Sequence, residues 1–455
     1  MNESQHNLND STFLDLHLWS ECDNLKDAID VVYKDHLSDL GQERAIKKQL
    51  KALLMNFIER YRVSPSGYIH YSRNKNYYSE RKQGMGNPLG VSQKIRDVCD
   101  RLEELGLIEQ YKGTFKPIKK QTRIRPTQKF IDEYFTPYNL LECDVDYHKT
   151  FPLVRIRETP EWFDFIPAKY RENKFKQPQR KAISTKAKTL EKQLNKYNAL
   201  LDRTTITLDK DVKYREKRKR IYRIFGDEKL SIHGRFYGGW WIEIKSSYRS
   251  YILINGNKTV ELDYKAQHPH MLYAIVLQEC LGDYSFHNDD PYNIKIGDTD
   301  SLYPRNLVKL AFMCCLNAAN EKAAHEVLKH KYEEVLKNPD ASQGQKTEAQ
   351  ELLSFVKNPK DFKAFMDDFK KAHIAVASYF YNNWWEDLMF LDSQICAYVI
   401  DTMTAKEIVV LTVHDSFIVE EKHEHTLKGV MKDAYAAIDM PLALPSIVSK
   451  SRTDI

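Results

Sequence analysis

The chain has 455 residues, too many for one small core and enough for two or three domains. Its apolar share of 42% is that of an ordinary soluble protein and its charged share of 29% is slightly high. No stretch reaches the ~18 apolar residues that a membrane span needs, and the formal net charge of +5 says little until its distribution is followed.

The opening MNESQHNLNDST is polar and acidic. It lacks the basic start and apolar stretch of a secretory signal. The seven cysteines are scattered, only Cys314 and Cys315 adjoin, and no CxxC occurs. That pattern predicts reduced thiols in the cytoplasm and argues against a zinc site.

Up to about residue 40 the sequence reads as a short polar lead and one helix. From about 43 to 61, QERAIKKQLKALLMNFIERYR places apolar residues at helical spacing. SPSGYIHYSR follows as turn and strand. NPLGVSQKIRDVCDRLEELGLIEQYKGTF starts on turn residues and continues as an amphipathic helix with Ile95, Val98, Leu102 and Leu105 on one face. Gly106 stops it before a short hairpin. Helix, strand, helix and hairpin in this order resemble a winged-helix module. Such a module lays its second helix in the DNA major groove, where Ser92, Gln93, Lys94 and Arg96 would meet bases or phosphates. The same shape also serves as a protein-docking unit.

Positive charge gathers further on. From Lys169 to Arg223 there are 19 Lys or Arg against 6 Asp or Glu, including Lys217-Arg218-Lys219-Arg220. A basic stripe of this kind points to a polyanion; a solvated helix face is the plainer reading. A long helix is expected through TKAKTLEKQLNKYNALLDR. The divisions predicted are 1–125 as the winged-helix-like domain, 126–229 as a basic helical linker resembling a thumb, and 230–455 as the domain that carries the chemistry.

Four stretches of that last domain stand out. IHGRFYGGWW offers glycines for close approach to a ligand and Arg235 as a phosphate clamp; the alternative is an aromatic hairpin. TVELDYKAQHPHMLYAI reads as a strand from Thr259 to Leu262, then a helix from His270, with Asp263 at the strand end as a metal-binding carboxylate or a helix cap. Arg305 and Lys309 open a helix running on through LAFMCCLNAANEKAA and share one face, suited to a triphosphate or simply to solvent. IVVLTVHDSFIV reads as strand, turn and strand, with Asp415 at the turn. A carboxylate between such apolar strands needs a partner or a metal. Gly297-Asp298-Thr299-Asp300-Ser301 looks like a family B polymerase turn, but the basic helix follows it instead of preceding it. Asp298 and Asp300 are therefore read as a loop and N-cap ahead of Arg305.

The order of these stretches resembles the palm and fingers of family A DNA polymerases and single-subunit phage-type RNA polymerases, over roughly 230–455. The set looks most like the compact polymerases or primase-polymerases of bacterial mobile elements and phages. The resemblance implies an α+β fold, in which a right-hand palm and fingers with an antiparallel sheet and many helices follow the winged-helix-like module. It implies two Mg²⁺ ions on Asp263 and Asp415, with Mn²⁺ able to substitute, and Arg305 and Lys309 on the phosphates of the incoming nucleotide. It implies Arg235, Arg249 and His414 at the template or primer; the winged-helix reading adds Lys94 and Arg96, and the basic stripe adds Lys217 and Arg218, as nucleic-acid contacts. Where the family has a sugar gate this chain has His268, followed by Pro269. Where it has aromatics on the nucleotide helix this chain has Met313 and Asn317, with Phe312 one position off. His268, Tyr264 and Asn317 are thus the candidates for nucleotide and sugar selection, and deoxynucleotide and ribonucleotide use both stay open.

The expected partners are DNA template and primer, nucleoside triphosphates, and an accessory protein or helicase. Two rival readings remain. One is a non-catalytic DNA-binding replication initiator or regulator. The other is a metal-dependent nuclease, which has no use for the Arg305/Lys309 face.

Overall fold

In the computed structural model the chain divides into two units that interleave in sequence. Met1–Arg155, Phe175–Tyr222 and Tyr237–Gly256 form the first; Ile156–Lys174, Arg223–Phe236 and Asn257–Ile455 form the second. The structure describes residues 11–74, 77–78, 87–113, 121–148, 151–158, 174–176, 185–212, 214, 216, 218–280, 290–338, 341–382, 384–438 and 444–450. It is an α+β chain of many helices and mainly antiparallel sheets. Among the described residues no helix is long and apolar enough to cross a membrane.

In the first unit, β1 (Ser11–Phe13) and α1 (Asp23–Val32) precede α2 (Glu43–Val63), which buries Leu50, Leu53, Leu54, Phe57 and Ile58. β2 (Tyr68–Tyr71), α3 (Lys94–Glu104), β3 (Ile108–Tyr111) and β4 (Thr122–Pro126) follow. The sheet order is β1-β2-β4-β3, with β2–β4 and β3–β4 antiparallel. On α3, Ile95, Val98 and Leu102 are buried as the 3.6-residue spacing requires, and Gly106 adopts φ +68° after the helix ends. The expected long helix is α4 (Thr185–Asp202).

The basic stretch is only partly a surface. Lys217 lies outside the described residues. Arg218 is a core residue, not a nucleic-acid contact, which corrects the sequence expectation. Its guanidinium lies 3.6 Å from Asp15, 3.4 Å from Glu59 and 3.7 Å from Glu243, with a side chain only 11% exposed. Burial pushes its pKa down, and Tyr147 and the three carboxylates more than offset that. Lys219 donates to the carbonyls of Leu201, Asp202 and Thr204. It thereby satisfies acceptors that the end of α4 leaves open.

Cys22 and Cys143 form a disulfide, with Cα atoms 5.6 Å apart, where the sequence reading expects reduced thiols. They are separated by 121 residues, so no local spacing announces the pair. Cys99, Cys314, Cys315 and Cys396 are free and buried.

β5 (Ile206–Leu208) belongs to the first unit; β6 (Tyr222–Phe225) and β7 (His233–Tyr237), which lie almost wholly in the second, are sheet neighbours. Gly234 has φ +78°. A Cβ there would lie 2.7 Å from Phe225 and 2.8 Å from the Ser393 hydroxyl. This glycine admits the protein's own side chains, not a ligand. Arg223 is fully buried beside it and donates to the Gly234 carbonyl at 2.7 Å and to Ser393 Oγ at 3.0 Å.

The central strand is β8 (Asn257–Tyr264). After it come α5 (Gln267–Cys280) and α6 (Arg305–Asn317). The helix expected to run on from Arg305 is two helices. Asn320 caps α7 (Glu321–Lys337) by accepting from the Ala323 N–H, which breaks the run. The N-cap of α6 is Pro304, so Asp298 and Asp300 are loop residues only, and Asp300 pairs with Lys295. α8 (Gln343–Lys357), α9 (Pro359–Ala372) and α10 (Trp385–Ala405) lead to β9 (Leu411–Val413), β10 (Ser416–Glu420), α11 (Glu424–Ala437) and β11 (Ile447–Lys450). β10 pairs antiparallel with β9 and β8, and β11 pairs antiparallel with β8.

The placement of Arg218 has a direct test. Arg218→Ala removes the buried cation between Asp15 and Glu59, which keep His17 and Arg62, and lowers the unfolding free energy in urea by about 2–3 kcal/mol. A side chain that served nucleic acid would lose affinity with stability unchanged.

Candidate active site

Strand alternation puts Glu261 and Asp263 on one face of β8. Antiparallel register sets Asp263 directly opposite Ser416 on β10, and Val413 on β9 opposite the same Ser416. Only His414 and Asp415 link β9 to β10, so Asp415 sits in a two-residue turn at the end of β8 where Asp263 lies. His414 takes φ +58° at the first turn position and is exposed. Tight hairpins need a positive φ there and favour glycine.

The two aspartates interact electrically. Burial raises the Asp263 pKa and the Asp415 charge raises it further, while a hydrogen bond from Lys450 opposes both. The Lys450 ammonium is 2.6 Å from Asp263 Oδ2. Ser416 Oγ donates to Glu261 Oε1 at 2.6 Å. The Asp415 charge is also felt at His268, Tyr292 and Tyr435.

Arg235 stands on β7 and donates to Asp392 Oδ2 at 2.7 Å. Asp392, on α10, is 2% exposed. Burial raises its pKa, against the pull of Arg235 and of His414. Arg235 Nη2 is also 3.4 Å from His268 Nε2. Burial first, then Arg235, lowers the His268 pKa to about 4, so its imidazole is neutral near pH 7.

Arg305 and Lys309 are both exposed on one face of α6, while Leu307 and Val308 are buried. Arg305 is not free: it grips Asp290 at 2.6 and 3.4 Å, and Asp290 also meets Lys265 at 3.3 Å. The Arg305 guanidinium lies 4.9 Å from the Tyr292 ring centroid. Burial raises the Tyr292 pKa, and the nearby Arg305 charge opposes it. Lys309 makes no hydrogen bond or ion pair with any described residue.

Several expected site residues lie elsewhere. Tyr264 is a core residue, not a selector: it is 2% exposed, its hydroxyl donates to the Met431 carbonyl at 2.6 Å, and its ring packs on Phe417 and Tyr435. Asn317 ends α6, about 18 Å along the axis from Arg305. Its amide donates to its own helix at Met313 O, so it does not share the Arg305 end. Phe312 is buried among Tyr292, Phe369, His373 and Phe380. Arg249 lies half-buried in a short turn of the first unit, Ser246–Tyr251. Lys94 and Arg96 are half-buried in the first turn of α3, and Arg96 donates to Asp97 at 3.1 Å.

Sequence reasoning missed Asp392, Glu261, Lys450, Asp290 and Tyr292. Two had a signal: Asp392 is a lone carboxylate in the apolar run LMFLDSQICAYVI, and Glu261 shares the period-two face of Asp263.

Among the described residues no group of three or more His, Cys, Asp or Glu side chains forms a metal cage. That donor set still fits Mg²⁺, which is commonly held by one or two carboxylates with substrate phosphate and water completing its shell. Asp263 and Asp415 share one end of the sheet, and the Lys450 ammonium is the cation that meets Asp263 there among the described residues.

No family model matches the chain, and no curated protein matches it. Among solved structures it is similar to the POL domain of Pol1 from M. smegmatis in complex with DNA primer-template and dNTP. The identity is 11% over 93% of this chain and 71% of that one, with a TM-score of 0.28.

Two outcomes follow from these contacts. Asp392→Ala leaves Arg235 without its buried partner and destabilises by about 3 kcal/mol in urea; the double change with Arg235→Met recovers part of that loss. For His268, the folded pKa lies below the unfolded value, so the unfolded chain binds the extra proton. Its contribution to stability is therefore full above pH 6.5 and is lost as pH falls toward about 4. Unfolding measured across that window has a shallower pH slope in His268→Gln than in wild type.

Proposed function

We propose that the chain is a template-dependent nucleotidyltransferase, a DNA polymerase or primase-polymerase of a mobile element or phage. One observation carries the reading. Asp263 and Asp415 come from distant parts of the sequence to one sheet end, and the same unit carries the exposed cationic Arg305/Lys309 face of α6. A nuclease would use the paired carboxylates and leave Arg305 and Lys309 without a task.

Asp263 and Asp415 are the residues that would hold Mg²⁺, or Mn²⁺ in its place. Bound there, two such ions would lower the pKa of the attacking hydroxyl and neutralise the triphosphate. Arg305 exchanges Asp290 for phosphate oxygens, a trade between two anions that its planar fork makes equally well. Lys309 holds the outer phosphates and donates a proton to the departing pyrophosphate. His268 is neutral, so its ring meets the sugar as a hydrogen-bonding or steric group and adds no charge. Arg235, held by Asp392, and His414 face the primer or template.

The first unit supports a further part of the reading. Helix α2, strand β2, helix α3 and the β3–β4 pair follow the winged-helix order, with β4 lying between β2 and β3. Lys94 and Arg96 on α3 would then contact template or origin DNA, or a partner such as a helicase. A DNA-binding initiator rests on this same order and predicts binding without synthesis.

Primer extension on a single-stranded DNA template, with dNTPs or NTPs, separates these readings. Asp415→Ala is expected to lower incorporation at least about a thousandfold. Lys309→Ala is expected to raise the nucleotide KM about tenfold. Full incorporation by Asp415→Ala would sink the catalytic assignment. Template binding with no synthesis by wild type would favour the initiator.

A further inference from the structure

We infer that Lys450, on the last strand of the sheet, is a built-in counter-cation for Asp263, and that a divalent ion must displace it to enter the site. This rests on the reading of Asp263 and Asp415 as metal ligands.

Register dictates the contact. β11 runs antiparallel to β8 with Tyr264 opposite Ile447, Asp263 opposite Val448, Leu262 opposite Ser449 and Glu261 opposite Lys450. Residues directly opposite share a face of the sheet, and so do residues two apart on one strand. Lys450 therefore shares its face with both Glu261 and Asp263. Its nearest acidic neighbour by register is Glu261, yet that carboxylate already accepts from Ser416 at 2.6 Å. The long lysine side chain reaches along the diagonal instead and places Nζ 2.6 Å from Asp263 Oδ2.

The charges around it explain why a cation belongs there. Glu261 and Asp263 lie on one face of β8, Asp415 sits in the turn at the same sheet end, and the Lys450 ammonium meets Asp263 there at 2.6 Å. Among the described residues Lys450 is the cation in ion-pair contact with Asp263. Arg235 is committed to Asp392, and Lys265 and Arg305 are committed to Asp290. The Lys450 side chain is 49% exposed, so its ammonium can swing into water without unfolding the strand. A lysine can leave in this way, whereas a buried guanidinium such as Arg223 cannot. The pair thus keeps the carboxylates together when no metal is bound, and it competes with the metal when one arrives. Metal affinity is held down as a result, so firm loading requires the extra oxygens of a triphosphate.

Mn²⁺ binding without nucleotide tests this, by electron paramagnetic resonance of the free ion. The proteins are wild type, Lys450→Met, Lys450→Arg, Asp263→Asn and Lys422→Met. The last removes the same charge from the turn just after β10, where Lys422 pairs with Glu420 away from Asp263. Lys450→Met is expected to bind Mn²⁺ about fivefold more tightly at low salt, with the difference shrinking as salt is raised. Lys450→Arg and Lys422→Met are expected to match wild type. Equal affinity in Lys450→Met and wild type, with binding lost in Asp263→Asn, would overturn the role of Lys450 and leave the metal site standing. Equal binding by Asp263→Asn and wild type would overturn the metal site itself and this inference with it. A second readout needs no variant: acylation of Lys450 in the wild-type protein, followed by mass spectrometry. Its rate is expected to rise on adding Mg²⁺, and an unchanged rate would contradict the displacement.

Discussion

Antiparallel register sets Asp263 opposite Ser416 and so brings the His414-Asp415 turn to the end of β8. The rest of the candidate site depends on that alignment. A slip of one residue would send Asp263 to the other face and replace it with Leu262 or Tyr264, both buried side chains. The apolar residues of β9 and β10 make such a slip costly. Leu411, Val413, Phe417, Ile418 and Val419 are all buried, and a shifted strand would change the surroundings of every one. Hydrophobic burial thus fixes the register that sets both aspartates at one sheet end.

Three arginines set their charge inside the protein. Arg218 sits among Asp15, Glu59 and Glu243 in the first unit; Arg223 and Arg235 brace Gly234, Ser393 and Asp392 in the second. Buried guanidinium groups of this kind add little net stability over apolar packing, but removing one partner is severe. They act as fixed points. Arg235 is aimed toward His268 because Asp392, almost wholly buried, holds it from behind. The cations exposed on α6 are different in kind, since Arg305 is paired near the surface and Lys309 stands in solvent.

The helices and the Asp415 hairpin were legible because period and turn chemistry are local. The apolar spacing of α2, α3 and α4 and the pair of strands around His414-Asp415 all follow from neighbours in sequence. What escaped were partners defined only by the fold. Nothing near Arg218 in sequence says that Asp15 and Glu59 will surround it, and nothing near Cys22 points to Cys143. Tyr264 and Asn317 were placed at the site by position in a motif, yet one hydroxyl and one amide were already taken by backbone carbonyls. The break after Asn317 shows a smaller failure: the cap at Asn320 was present in the sequence, and the apolar run hid it. Lys450 could not have been read at all, because its role comes from pairing with a strand nearly two hundred residues earlier, as the separation of 187 from Asp263 records.

The most direct measurement is a crystal structure of the protein soaked with Mn²⁺ and a non-hydrolysable nucleoside triphosphate, with anomalous scattering used to find the metal. The expected result is a manganese peak between the Asp263 and Asp415 carboxylates, with the triphosphate reaching the Arg305 and Lys309 face of α6. Manganese and triphosphate bound elsewhere, with Asp263 still on Lys450 and Arg305 still on Asp290, would contradict a nucleotidyltransfer site at this sheet end.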